Sequence, residues 1–189
     1  MAAAAPPRIL YSRRRIARRV RELAASIDAR YRGRPLTLCG VLTGGAVFAA
    51  DLARSLRNDR VELDFVKASS YGEGTVSRGR VDLQILDQGG IAGRDVLVVE
   101  DILETGRTLA AVVRGIRLCG ARSVRTAVLL VKPSERAEGP EPDWVGFRME
   151  EAAFVAGYGL DAGRRWRNLP DIVVPGDLDP RRNGKGRRP

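Results

Sequence analysis

The chain has 189 residues, 44% hydrophobic and 30% charged, the profile of a globular protein built on one core. It contains no histidine, so no mechanism here can use an imidazole as base, nucleophile or metal ligand. No apolar run reaches the length of a membrane span, and the start, MAAAAPPRIL, lacks the charged-then-apolar pattern of a secretion signal.

The net charge of +10 is concentrated at the two ends. Residues 8–34 hold ten arginines against Glu22 and Asp28, a net of +8. Residues 176–189 hold five basic residues against Asp177 and Asp179, a net of +3, which leaves −1 for the rest. The Gly/Pro/Arg-rich end, PRRNGKGRRP, reads as a basic, disordered tail.

Residues 12–32 predict a helix, because Ile16, Val20, Leu23, Ile27 and Tyr31 recur every three or four positions. Ser12 suits its start and Gly33 its end, and the arginines on the other face read as solvated. Residues 36–42 read as a buried strand, 43–45 as a tight turn and 46–56 as a second helix. Residues 61–66 alternate as a strand does. The polar, glycine-rich SSYGEGTVSRGR, 69–80, predicts a long mobile loop, and 81–86 alternate again, which puts that loop at the tip of a hairpin-like excursion. The short apolar run 95–99 suits a parallel strand covered on both faces. A helix over 106–118 and a buried strand over 123–131 follow. Residues 133–142 read as loop, and 143–148 and 153–158 as short strands of an irregular region. There are no internal repeats. Strands alternating with helices predict a single α/β domain over 8–175 with a mainly parallel sheet. Cys39 and Cys119 have neither disulfide nor metal spacing and read as buried free thiols, suited to a reducing cytoplasm.

The stretch VEDILETGRTLAAV, 99–112, lies where a strand becomes a helix, the place where parallel sheets bind ligands. Thr105, Gly106, Arg107 and Thr108 offer backbone N–H groups, hydroxyls and a guanidinium to a phosphate. Glu100, Asp101 and Glu104 cannot hold a phosphate directly, but carboxylates suit sugar hydroxyls or Mg²⁺. A phosphorylated ribose satisfies both halves.

VLVVEDILETGRTL resembles the 5-phosphoribosyl-1-diphosphate (PRPP) motif of type I phosphoribosyltransferases. Further segments resemble one branch, the hypoxanthine-guanine phosphoribosyltransferases: VLTGGAVFAADL its diphosphate loop, SSYGEGT its lid, and LLVKPSER, DWVGF and FVAGYGLDAGRRWRNLP its purine-holding strands and hood. The resemblance covers roughly residues 9–175. It implies a hood built from the N-terminal and 143–175 segments, with Mg²⁺-dependent transfer from PRPP to a 6-oxopurine. It also implies roles: Glu100 and Asp101 on the ribose hydroxyls with Mg²⁺, residues 105–108 on the 5′-phosphate, and Glu104 as the acid facing purine N7. Thr43 and Gly44 would meet diphosphate through a peptide bond that is often cis in the family, with Arg167 reaching the same group. Ser70 and Tyr71 would belong to the lid. Lys132 would donate to the 6-oxo group, Phe154 would stack on the base, the Val155 backbone would meet its edge, and Asp161 would ligate a second Mg²⁺. A homodimer or homotetramer is implied, and no membrane partner.

The chain departs from the family at Glu104, where aspartate is usual, and at Thr43, where lysine or another basic or polar residue is common. RMEEAAF lacks the Pro-Asp expected before the hood. Two readings compete: a phosphoribosyltransferase for another base such as xanthine, and a PRPP- or nucleotide-sensing regulator that binds nucleic acid through its arginine-rich ends. No interleaved aromatics or known reader motif supports the latter, so the sequence predicts no nucleic-acid partner.

Overall fold

The computed structural model describes residues 7–70, 81–85, 90–133 and 141–176. Helix α1 (Arg13–Tyr31) begins at Ser12, whose hydroxyl accepts from Arg15 N, and the predicted apolar stripe is its buried face. Gly33 follows it at φ +65°, a conformation open to glycine. Strand β2 (Leu36–Leu42) spans the predicted residues, and α2 (Gly45–Ser55) starts one residue early. Gly40 of β2 admits α2 closely: a Cβ there would lie 2.9 Å from the Ala49 Cβ and from the Phe65 ring.

The six-stranded sheet runs β4 (Val81–Ile85), β3 (Val61–Ser70), β2, β5 (Asp95–Leu103), β6 (Ser123–Val131), β7 (Trp144–Arg148). All neighbours are parallel except β3 and β4, the predicted hairpin-like pair. Alternate residues of the central strands feed two cores. Leu38, Leu97, Val99 and Leu129 pack with α1 and α2. Cys39, Val41, Val98 and Val128 pack with α3 (Arg107–Leu118) on the other face. Burial on both faces explains why β2 and β5 read as continuous apolar runs, and each fully buried Leu or Val contributes about 1.5–3 kcal/mol. Burial pushes the Cys39 thiol up to about 12, so it is an inert core group.

Four local expectations are corrected. β5 does not stop at Val99: Glu100, Ile102 and Leu103 pair with Val128, Leu130 and Val131 of β6, so the ladder carries the acids inside the strand. β3 continues through Ser70 because β4 pairs with it, so the predicted loop begins at least two residues later, and 71–80 lie outside the described residues. Residues 144–148 belong to the central sheet, not to an irregular region. Residues 153–158 form no named strand, only isolated bridges, because Gly157, Tyr158 and Gly159 all turn at positive φ. A two-stranded sheet whose strands were not predicted, β1 (Arg8–Tyr11) with β8 (Ile172–Val174), ties the N-terminal segment to the C-terminal one.

Arg19 of α1, which reads as solvated, is partly buried and has a structural role. Arg19 donates to the Val145 and Gly146 carbonyls at 2.7 and 2.8 Å and so covers the exposed edge of β7.

Candidate active site

The strand order locates the crevice. From β2 the chain crosses to β3 on one side, and from β5 it crosses to β6 on the other. The crossovers part at the carboxyl ends of β2 and β5, the usual place for a ligand in such a sheet. The Leu42–Thr43 peptide at the end of β2 is cis. Gly44 then lies against Asp101 of β5: a Cβ on Gly44 would sit 1.8 Å from Asp101 Oδ2, so only glycine lets this loop approach the acid. Gly45 is packed as tightly, 2.9 Å from the Val99 carbonyl by the same measure. Thr43 is exposed.

Glu100 and Asp101 are buried, at 7% and 8% exposure. Asp101 Oδ1 accepts from the Ile102 N–H at 3.0 Å. Glu100 Oε2 is buried and has no hydrogen-bond partner among the described residues. Burial first, then the hydrogen bond and negative charge shared with Asp101, pushes the Glu100 carboxyl well above the usual carboxylate range. An unsatisfied carboxylate oxygen in a dry place is costly, and a cation or a hydroxyl donor would remove that cost.

Beside it opens a pocket of about 240 Å³ lined by Glu100, Ile102, Leu103, Glu104, Thr105, Gly106, Thr108 and Leu109. Gly106 turns the chain into α3 at φ +80°, and as the N-cap it has no side chain with which to cap the helix. The positive end of α3, with the Thr105 and Thr108 hydroxyls beside it, faces the space where an anion would sit. Arg107 is the first helical residue and is exposed.

Lys132 stands at the end of β6, anchored by its N–H on the Leu103 carbonyl at 2.9 Å. Its ammonium lies 3.4 Å from Glu104 Oε2. The lysine side chain is 9% exposed and the glutamate side chain 62%, so the cation is fixed and the acid reaches over to it.

The hood closes over the same end. Phe154 is half-buried and Val155 buried. Tyr158 anchors the segment on α2 by donating its hydroxyl to Asp51 Oδ2 at 2.8 Å. Gly159 packs directly on the β2 loop, where a Cβ would lie 2.4 Å from the Gly44 carbonyl. Arg167 Nη2 holds Asp161 Oδ1 at 2.8 Å, its other terminal nitrogen donates to the Gly159 carbonyl, and the Arg164 N–H donates to Asp161 Oδ2 at 2.8 Å. Arg167 and Asp161 are thus brought beside the Gly44 loop, as a pair already bound to each other. Ser70 ends β3, and Tyr71 lies outside the described residues.

Sequence reasoning missed Gly45, Asp51, Tyr158 and Gly159, which hold the β2 loop and the hood in place. Tyr158 and Gly159 lie in the GYGLD run, and Gly45 and Asp51 in VLTGGAVFAADL. Among the described residues no three of His, Cys, Asp or Glu converge as a metal cage. Glu100 and Asp101 nonetheless fit Mg²⁺, which takes one or two protein carboxylates and completes its shell with water and substrate oxygens.

The chain's similarities agree with this geometry. The family model described as phosphoribosyl transferase domain matches residues 8–162. The chain is 40% identical over 167 residues to the hypoxanthine-guanine phosphoribosyltransferase of Bacillus subtilis, covering 88% of this chain and 92% of that protein. It is 42% identical to the bifunctional protein TilS/HprT of Listeria innocua, again over 88% of this chain, but it spans only 26% of that longer relative. A crystal structure of a hypoxanthine phosphoribosyltransferase from Staphylococcus aureus superposes with a TM-score of 0.81 at 35% identity, over 89% of this chain and 91% of that one.

Proposed function

This chain belongs to the phosphoribosyl transferase domain family, and on that premise we propose that it transfers the 5-phosphoribosyl group of PRPP to a 6-oxopurine. The products are the purine nucleotide and diphosphate, and the role is purine salvage. One juxtaposition carries the reading. Buried Glu100, with an oxygen that no described residue satisfies, lines a pocket walled by Thr105, Gly106 and Thr108, and buried Asp101 follows it in the strand.

In this reading Glu100 and Asp101 take the ribose hydroxyls, whose donors satisfy the orphan oxygen. Thr105, Gly106, Arg107 and Thr108 hold the 5′-phosphate at the start of α3. Breaking the C1′–diphosphate bond builds positive charge on the ribose and negative charge on the leaving group. The buried acids stabilise the first, and Arg167 with the backbone of Thr43 and Gly44 the second. Mg²⁺ held on Glu100 and Asp101 would add charge neutralisation on the diphosphate. At Asp161 an ion would have to compete with Arg167 and the Arg164 N–H, both already bound to that carboxylate. The lid that Ser70 and Tyr71 begin would keep water from the reactive ribose.

The Lys132–Glu104 pair sets the base class. A 6-oxopurine protonated at N7 presents an acceptor at O6 and a donor at N7 along one edge. An ammonium that can only donate and a carboxylate that can only accept, 3.4 Å apart, complement that edge. A 6-amino group would turn a donor toward the ammonium. Phe154 offers a flat face to the ring. A homo-oligomer in a cytoplasmic setting accords with this role.

Steady-state turnover with PRPP, Mg²⁺ and a panel of hypoxanthine, guanine, xanthine, adenine and uracil tests the reading. Nucleotide should form from hypoxanthine or guanine and not from adenine or uracil. Absence of product from every base would reject the enzyme, and preference for xanthine would move it to the neighbouring specificity.

A further inference from the structure

The hood has two halves, and different contacts hold them. The purine half, Phe154 and Val155, runs into Ala156. That residue exchanges both backbone hydrogen bonds with Val173 of β8, at 3.0 and 2.9 Å. The diphosphate half, 157–167, is laced to itself and to Leu169. Gly157 exchanges bonds with Leu160, and Ala162 with Arg165. The Tyr158 N–H donates to the Leu169 carbonyl at 2.7 Å, and the Gly159 N–H to the Arg167 carbonyl at 3.0 Å.

This second half is strained. Tyr158, Arg164 and Trp166 have φ values of 50°, 66° and 72°. Glycine enters that left-handed region freely, and bulky side chains do so at a cost. Asp161 and Arg167 are carried on the same segment. A backbone held in three such conformations relaxes unless its surroundings over-determine it. The restraint comes from α2 and the loop before it. The Tyr158 hydroxyl donates to Asp51 Oδ2 at 2.8 Å, and its ring is buried in the core that it shares with Phe48 and Leu52. Arg54 pairs with the other oxygen of Asp51, at 3.3 Å, and leaves Oδ2 to the tyrosine. The next residue, Gly159, rests on the Gly44 carbonyl, and its own carbonyl accepts from Arg167 Nη1. The path from hydroxyl to guanidinium is therefore short: Tyr158 fixes Gly159, and Gly159 fixes Arg167 beside the Thr43–Gly44 loop.

We propose that Tyr158 is a positioning residue for the diphosphate contact alone. Its hydroxyl on Asp51 latches the strained segment, so that Arg167 stays aimed at the Gly44 loop. The purine half has its own anchor on β8 and does not depend on the latch. This role rests on the reaction proposed above. Losing the latch removes a hydrogen bond but also lets the strained backbone relax, so its effect belongs to ligand binding more than to folding.

The test compares the full chain with Y158F, D51A, D51N and the double variant Y158F/D51A, by steady-state kinetics and amide hydrogen exchange. Phenylalanine keeps the buried ring and removes only the hydroxyl. In Y158F the KM for PRPP, and for diphosphate in the reverse direction, should rise about five- to tenfold, the scale of one hydrogen bond to a charged group. The KM for hypoxanthine should stay the same and the melting temperature should change little. D51A should match Y158F, and the double variant should be no worse than either, because both remove one shared contact. D51N keeps an oxygen that accepts from the tyrosine and should restore the unaltered values. The Tyr158, Gly159 and Leu169 amides should exchange faster in Y158F, with Ala156 and Val173 unchanged. An unchanged KM for PRPP, an equal rise in the KM for hypoxanthine, or additive losses in the double variant would overturn the role of Tyr158 and leave the reaction standing. Absence of nucleotide from the unaltered chain with every base would overturn the reaction and this role together.

Discussion

Strand β5 carries buried acid near both ends, and the two ends treat it oppositely. At the amino end Asp95, 3% exposed, is fully accompanied. Arg122 donates twice, at 3.1 and 2.5 Å, the Ser123 hydroxyl donates at 2.6 Å, and Arg34 stands 3.7 Å away. The Arg122 hydrogen bond outweighs burial, and its carboxyl is lowered to about 2. At the carboxyl end Glu100 is similarly dry and lacks such company, and its carboxyl is pushed up. Burial alone therefore does not mark a functional acid. What separates the two is whether the fold supplies the partners or leaves them to a ligand.

The comparison breaks most visibly under substitution at the carboxyl end. Glu100→Gln keeps the shape, removes the buried charge and gives Asp101 a donor. Turnover with PRPP and hypoxanthine should fall about 100-fold, the scale of losing one preorganised transition-state contact. Thermal stability without substrate at neutral pH should rise, by about 1–2 kcal/mol. Lost stability together with retained turnover would show that Glu100 is a structural acid like Asp95.

The amino end should respond with the opposite signs. Asp95→Asn should leave turnover unchanged and cost about 2 kcal/mol of stability, roughly 4–8 °C in melting temperature for a chain of this size. The pH dependence follows from the direction of the shift. Asp95 has a folded value of about 2 against an ordinary 3.8, so its contribution is complete above 3.8 and is lost as pH falls toward about 2. The difference in melting temperature between the two proteins should therefore hold down to about pH 4 and close below it. A difference that persists at pH 2 would mean that the asparagine variant is weakened by packing instead of by the loss of charge.

Local patterns made part of this contrast legible in the sequence. The limits of β2 and β6, the Ser12 cap and the crowding of acids and hydroxyls at 100–108 follow from periodicity and turn chemistry, which act over a few residues. The contacts that decide each acid's role act at long range. Arg122 and Ser123 reach Asp95 from 27 and 28 positions away, and Asp95 in sequence is one more charge at the start of an apolar run. Glu100 reads as lying where the strand closes, because only the ladder to Val128 shows that the strand continues past it. β1 and β8 were missed for the same reason: four and three residues carry no period, and their partners lie some 160 positions apart. The hood's attachment, Tyr158 on Asp51 and Gly159 on Gly44, has no local signature beyond its glycines.

Glu104, just past the end of β5, sits between the two cases. Its carboxylate is largely exposed and pairs with Lys132 at 3.4 Å. The contact depends on the longer side chain: aspartate, usual in the family, would withdraw the carboxylate by about 1.5 Å and open the gap past ion-pair distance. Because Glu104 is exposed, the pair contributes under about 1 kcal/mol, so its removal cannot matter much for folding. Its effect should instead appear where the base binds. If the pair holds Lys132 and Glu104 ready for the O6–N7 edge, Glu104→Asp should raise the KM for hypoxanthine about three- to fivefold and leave the KM for PRPP and the melting temperature unchanged. If Glu104 competes with the base for the ammonium, the same substitution lowers the KM for hypoxanthine, and the pair is an obstacle the purine must displace. The sign of that change decides whether Glu104 is an acid whose partner the fold supplies, as at Asp95, or one whose partner arrives with the ligand, as at Glu100.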